Sequence, residues 1–519
     1  MVGYVPRYLL VFSLMVLFVA ACGDDGDSAN EAEEPHAVPD FDFGKSDNYI
    51  GTNAREFVLL GEFTEALPEG YDDATDPEHQ EELLDDELSD QLNLIGDSVE
   101  RHIDDVIREH NEELDDHQVE YFVYFRSDST LDTDFEVEGD EVQYSFELEF
   151  VGSVYLMGLL ADDSSPRTFE VDIYSSPFGG EVVDQMELEI QGSPSRDAFP
   201  SYDALFEDGM LDISMHFGGD YNEGRYDLDT AEWTVETLLE TGWQHQSVDS
   251  FDDLRIDSGP FYRQLRVEGQ QLEVLVSVFH AEMKEDEVDG EPVGHEGLRD
   301  AVEESMEITD IFLYSGHAGS DAGFILDYSP RYEIPATEFV DMPMSDDYQI
   351  YVMDGCNTYR TYVRDIMDNP ARNFGNTDIM TTVHTTPFSA GYYVIWQLLN
   401  WFTFTDQAGN HFPVSWQTMI RGLNQDFDDV HYGVHGVDDA PKLNPHASEG
   451  YLCEPCSSDA DCGAGGNYCL GYEDGAGCGV ACTTDAACGE GYRCARVFDI
   501  DDEFYMPKQC VPTTMSCGN

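Results

Sequence analysis

The sequence predicts a multidomain chain: a β-rich accessory region, then an α/β domain whose mainly parallel sheet is flanked by helices, then a small disulfide-rich tail. Three observations predict it. Residues 118–195 alternate apolar and polar in places, as in Tyr144-Ser145-Phe146-Glu147-Leu148-Glu149-Phe150 and Met186-Glu187-Leu188-Glu189-Ile190, with Gly, Ser and Pro turns between them; this is the pattern of strands buried on one face. From about residue 205, short apolar runs of strand length alternate with helical stretches, as βα units require. Ten of the twelve cysteines crowd between Cys453 and Cys517, too close together for anything but a small stapled unit.

Taken in order, residues 1–21 carry Arg7 and an apolar stretch over 9–21 that is too short to span a bilayer as a helix, so they read as an export signal. The small residues Val19-Ala20-Ala21 before Cys22 resemble a bacterial lipoprotein signal. That resemblance implies cleavage before Cys22, lipid on its thiol and new amine, and a membrane tether outside the cytoplasm; an ordinary cleaved signal with a chance cysteine is the plainer alternative. Gly23 after Cys22 points, by resemblance to known sorting behaviour, to the outer membrane. Residues 22–47 are rich in Asp, Glu, Ala and Pro and too poor in apolar side chains to fold, so they form an acidic tether.

Residues 48–117 hold a long amphipathic helix, with Leu84, Leu88, Leu92, Ile95, Val99, Ile103 and Val106 in one stripe that packs on a neighbouring sheet. Residues 118–200 form the β-rich accessory domain and 205–445 the α/β domain. Within the latter, 211–217, 272–279 and 378–383 read as strands, and 230–240, 297–306 and 392–401 as helices. Residues 450–519 form the disulfide-rich repeats. There Cys456-Ser457-Ser458-Asp459-Ala460-Asp461-Cys462 and Cys482-Thr483-Thr484-Asp485-Ala486-Ala487-Cys488 share a pattern, and each runs on to another cysteine, Cys469 and Cys494. Together with Cys453, Cys478, Cys510 and Cys517 they allow up to five disulfides and a structural or protein-binding role. Apart from Cys453 and Cys456, the spacings are too long for paired zinc knuckles.

Charge narrows the function. The chain has 109 acidic against 23 basic residues, a field that repels nucleic acid and anionic lipid and favours cationic partners. Nucleic-acid binding is excluded. The acids are spread along the whole chain, which reads as a surface adapted to a saline medium; no loop has EF-hand ligand spacing.

Cys356 stands apart from the stapled cysteines. It follows the apolar run Ile350-Tyr351-Val352-Met353-Asp354-Gly355, and some forty residues earlier Ile311-Phe312-Leu313-Tyr314-Ser315-Gly316 runs into His317-Ala318-Gly319. Two buried parallel strands would bring both side chains to the carboxyl end of one sheet, where open α/β folds place their active sites. A thiolate there needs a base to form it and donors for the oxyanion it creates. His317 supplies the base, and backbone at Gly316, Ala318, Gly319 and Gly355 supplies candidate oxyanion donors. His384, His431 and His435 lack nearby acidic partners in metalloprotease spacing and read as structural.

The pair of strands ending in a histidine and then a cysteine resembles the caspase-like cysteine peptidases, a group that includes caspases, legumain, gingipains and clostripain. The segment Leu211-Asp212-Ile213-Ser214-Met215-His216-Phe217-Gly218-Gly219-Asp220, followed by Arg225-Tyr226-Asp227-Leu228-Asp229, is similar to the family's first strand and helix start. The resemblance covers roughly residues 205–440. It implies a caspase-like fold and a surface-anchored cysteine endopeptidase acting through His317, Cys356 and a thioester, with no metal or organic cofactor and a protein or peptide as substrate. It further implies that Arg225 lines the pocket for the residue before the cut, which would then be Asp or Asn. Two departures stand out: the family has His-Gly and Ala-Cys where this chain has His317-Ala318 and Gly355-Cys356. The alternatives are a non-catalytic binding or adhesion lipoprotein on the same scaffold, and a self-cut that only matures the chain.

Overall fold

The computed structural model describes the chain from residue 51 to 517 apart from interrupting segments, the longest being 284–295, 437–451 and 498–507. The signal region, Cys22, the tether and Gly319 lie outside the described residues. A sheet-rich body with several helices and a disulfide-rich C-terminal region is what the chain folds into, and no described helix is long and apolar enough to cross a membrane.

The N-terminal sheet is built from β1 (Ala54–Ala66), β2 (Val123–Phe125), β3 (Thr133–Glu138), β4 (Glu141–Ser153), β5 (Thr168–Tyr174) and β6 (Val182–Gly192), ordered β2-β4-β1-β6-β5 with β3 also paired to β4. Along β4, Val142, Tyr144, Phe146, Leu148 and Phe150 are buried while Glu141, Gln143, Ser145 and Glu147 face solvent, the period-two result of burying one face. Helix α1 (Pro77–Glu112) covers that face, with Ile95, Val99, Ile103 and Ile107 in one cluster with Phe57, Phe146 and Leu188. Ile107 rather than Val106 completes the stripe. One boundary needs correcting. The segment 48–117 is not separate from the β-rich region: β1 is its central strand, pairing with β4 and β6, and its period was masked because Val58, Leu59 and Leu60 run consecutively.

After the short helices α2 (Leu156–Leu160) and α3 (Tyr202–Leu205) comes the second sheet. Its strands are β7 (Met210–Phe217), β8 (Phe261–Val267), β9 (Gln270–His280), β10 (Ile311–Ser315), β13 (Gln349–Asp354), β14 (Thr377–Thr382) and β15 (Tyr432–His435), with a hairpin of β11 (Phe324–Tyr328) and β12 (Arg331–Ile334) between β10 and β13. The order is β15-β14-β13-β10-β7-β9-β8. The five strands from β14 to β9 are parallel, and β15 and β8 are antiparallel edges. Every residue of β10, β13 and β14 is buried, so the sheet is covered on both sides. Helices α4 (Tyr226–Glu240), α5 (Glu296–Ile308), α6 (Thr358–Met367), α7 (Gly391–Phe402) and α8 (Trp416–Asn424) supply the cover.

At the amino end of this sheet Asp310 accepts the Asp212 N–H at 2.7 Å. Burial first, with Asp208, Asp212 and Asp347 nearby, pushes Asp310 up to about 7; burial and Asp208 push Asp212 up to about 6. A raised carboxyl favours the fold below its unfolded pKa, and that contribution is lost as pH rises through the folded value. Asp310→Asn keeps an acceptor for the Asp212 N–H and removes the charge. It is expected to stabilise the protein by about 1–2 kcal/mol at pH 8 after allowance for solvent screening, with the gain shrinking as pH falls from 7 towards 4. Urea unfolding at several pH values checks it; a gain that does not change with pH would overturn the assignment.

All ten tail cysteines are paired: Cys456–Cys469, Cys462–Cys478, Cys482–Cys494, Cys488–Cys510 and Cys453–Cys517. The two repeats share one connectivity, first to third and second to fourth, and the last bond ties the ends of the tail together. Several disulfides fit an exported protein.

Candidate active site

Register brings the histidine and the cysteine together. The last paired residues of β10 and β13 are Ser315 and Asp354, and His317 and Cys356 each stand two residues beyond them. They therefore leave adjacent parallel strands, about 4.8 Å apart, at the same height on the carboxyl edge. Glycine lets the two loops touch: a Cβ on Gly355 would fall 2.7 Å from the Gly316 carbonyl oxygen and 2.9 Å from Ala318 Cβ. The Gly316 N–H donates to the Asp354 carbonyl at 3.0 Å. Gly316 is thus withdrawn as an oxyanion donor, since its amide extends the parallel ladder.

On the other side of β10 lies β7. In chain order the five parallel strands run second, first, third, fourth, fifth, so the switch point of the sheet falls between β7 and β10, where this architecture opens a crevice. Gly218 and Gly316 pack backbone to backbone there: Gly218 N–H donates to the Ser315 carbonyl at 3.1 Å, and a Cβ on Gly316 would lie 3.0 Å from Gly218 Cα. Asp227, in the first turn of α4 and 7% exposed, directs Oδ2 to within 4.0 Å of His317 Nε2. The buried Tyr314 hydroxyl donates to the His317 carbonyl at 2.7 Å and accepts the Ile325 N–H at 3.1 Å, fixing the histidine loop to the β11 strand.

Cys356 is half-buried and is the free cysteine among the described residues. Its Sγ lies 4.0 Å from the Thr386 carbonyl oxygen and 3.9 Å from the Thr386 hydroxyl. The turn that holds it is pinned on both sides. The Thr382 hydroxyl donates to the Gly355 carbonyl, and because the peptide is trans and planar, the Cys356 N–H points the opposite way. Asn357 adopts a left-handed conformation, φ 54° and ψ 37°, which asparagine tolerates better than most side chains, and its N–H donates to the His384 carbonyl at 3.0 Å. Below the turn, Asp354 accepts from Ser315 Oγ at 2.8 Å and from the Tyr432 hydroxyl at 3.0 Å. Burial raises the Asp354 carboxyl, with those two hydrogen bonds opposing it, and burial together with Asp354 raises the Tyr432 phenol well above its ordinary range.

Arg225 is placed differently. It is half-exposed at the start of α4, with Nη1 2.8 Å from Glu282 Oε1 and Nε 3.6 Å from Asp229. Glu282 follows β9, across β7 from the histidine and cysteine loops, so the guanidinium is engaged by a carboxylate on that side of β7. The described contacts give it a charge-pairing role. Among the three histidines read as structural, His431 stacks on Phe122 with ring centroids 4.1 Å apart, His384 lies 5.2 Å from Tyr124, and His435 is buried with Nδ1 3.9 Å from Glu56 Oε1. His435 does have an acidic neighbour, supplied by β1 from the opposite end of the sequence.

Sequence reasoning missed Asp227, Asp354 and Thr386. Asp227 lies inside the segment quoted for Arg225, and only its place in the first helical turn marks it. An aspartate ending a fully buried strand run, as Asp354 does, was a readable signal, since buried carboxylates are held by partners. The chain matches no protein-family model, no curated protein and no solved structure.

Proposed function

We propose that the protein is a cysteine endopeptidase of the caspase-like kind, working through Cys356 and His317. The observation that carries this reading is the shared register of the two residues at a sheet switch point, with Asp227 behind the histidine. The order of the parallel strands supports the resemblance seen in the sequence.

In the proposed reaction, Asp227 faces Nε2 and holds the imidazole, leaving Nδ1 to exchange protons with the thiol. Nδ1 takes the Cys356 proton; the thiolate attacks the scissile carbonyl carbon, and the carbonyl π pair moves onto oxygen. The Cys356 N–H, turned away from Thr382, is the donor best directed at that oxyanion, with Ala318 and Gly319 as candidates for a second. Collapse expels the amine, which takes the proton from His317, and leaves a thioester. Water, deprotonated by His317, attacks the thioester and restores the thiol. Several disulfides suit an exported location, and attachment through a lipidated Cys22 belongs to the same proposal.

The test is a fluorogenic peptide library varied at the residue before the cut, at high and low salt, with the tail disulfides kept intact. Cleavage blocked by a thiol-directed inhibitor is expected. A preference for Asp or Asn would support Arg225 in the pocket, at the expense of its pair with Glu282. A preference for Lys or Arg would assign specificity to the acidic surface instead. A folded protein silent on every peptide would favour the non-catalytic scaffold.

A further inference from the structure

Cys356 is held between two pieces of chain, the first turn of α6 and residues 383–387, and both are braced from the N-terminal β-domain. Tyr359, three residues beyond Cys356, is buried and its hydroxyl donates to Glu56 Oε1 on β1 at 2.9 Å. The Tyr359 ring stacks on His435 with centroids 5.1 Å apart. On the other side, the His384 carbonyl receives the Asn357 N–H and its ring rests on Tyr124 of β2. Val383 donates its N–H to the His431 carbonyl at 3.1 Å, and the His431 ring is stacked on Phe122. Ala54 and Val151 of the β-domain share one buried cluster with Tyr359 and Val383, which Phe122 and Tyr124 close over.

Glu56 is 3% exposed. A carboxylate buried to that degree is tolerable only with partners in place, and two of them, Tyr359 and His435, belong to the α/β domain. The docking of the two domains is thereby specified at the chain segments that carry the thiol.

We propose that the N-terminal β-domain is a built-in positioning element for Cys356: Tyr124 acts through His384 on the 383–387 loop, and Glu56 acts through Tyr359 on the first turn of α6. Neither residue touches the reacting atoms. The kinetic part of this inference rests on the peptidase reading; the thiol-reactivity part does not.

The experiment uses the full chain with Tyr124→Ala, Tyr124→Phe, Glu56→Ala, Glu56→Gln, His384→Ala and the double variant Tyr124→Ala/His384→Ala, each checked for folding by its unfolding transition. Two quantities are read: the rate of Cys356 alkylation by iodoacetamide, and kcat and KM on the best library peptide. The alanine variants are expected to lose roughly ten- to hundredfold in kcat with KM within about twofold, as small displacements of reacting groups do, and to alkylate several-fold more slowly. Tyr124→Phe keeps the ring and Glu56→Gln keeps an acceptor, so both are expected to restore wild-type behaviour. Because Tyr124 acts through His384, the double variant should lose no more than the worse single one. Folded alanine variants with unchanged kcat and alkylation would overturn the proposal, as would fully additive losses in the double variant. If wild type cleaves no peptide, the peptidase reading fails and the alkylation rates still decide the positioning role.

Discussion

Cys356→Ala is expected to reduce kcat/KM to background, a loss of at least about a thousandfold, because a thioester needs a free thiol and Cys356 is the free cysteine among the described residues. Asp227→Asn should fall short of that, at roughly ten- to hundredfold in kcat. Asparagine keeps the shape beside Nε2 and removes the charge that stabilises the imidazolium, and the 4.0 Å approach is loose enough to tighten only when substrate is bound. The grading is the informative part. A Cys356→Ala protein that still cleaves would place the nucleophile elsewhere, and an Asp227→Asn enzyme with wild-type kcat would remove the carboxylate from the mechanism while leaving the Cys-His pair. The measurement is steady-state kinetics on one peptide, with intact folding shown for each variant.

A second large effect is expected from salt. With a formal net charge of −86, the folded state concentrates repulsion that the unfolded chain relaxes. The repulsion has local seats: Glu170 and Glu187 face each other on β5 and β6, an unfavourable cross-strand pair. On α1, burial chiefly, and then Asp97 and Asp104, raise the Glu100 carboxyl against the opposing pull of Arg360. Raising NaCl from about 0.05 M to 2 M shortens the screening length from more than 10 Å to about 2–3 Å. The thermal midpoint is expected to climb by roughly 10–20 °C, several times the shift that about 1 kcal/mol gives a domain of 150–250 residues. Thermal melts in NaCl, beside melts in sucrose at matched water activity, separate charge screening from general exclusion. A midpoint flat in salt would sink the reading of the acidic surface as a saline adaptation.

What the sequence made legible follows from which contacts are local. The motif-bearing strands could be read because a strand buried on both faces is a continuous apolar run, and the placement of His317 and Cys356 at neighbouring strand ends could be read because each residue's distance from the end of its own strand is local in the chain. The tail repeat was visible as a repeat, but its pairing was not, since spacing alone permits many connectivities. β1 escaped notice because an uninterrupted apolar stretch hides its alternation. Helix α6 escaped because Thr358, Thr361, Tyr359 and Tyr362 are weak helix formers, held there by tertiary packing. Arg225 shows what a motif leaves out: the resemblance implies a pocket role, and only the fold places Glu282 beside the guanidinium. Asp227, Glu56 and Tyr124 belong to pairings between residues tens to hundreds of positions apart, which no local pattern records.

The bond between Cys453 and Cys517 has a topological consequence. It closes residues 453–517 into a covalent ring. A protease outside the cell that severs any single peptide bond between those two cysteines releases no fragment, so the tail stays attached after a first cut. For a protein that is itself proposed to cut chains at its own surface, an appendage that survives being nicked is better suited to its surroundings than a linear one would be.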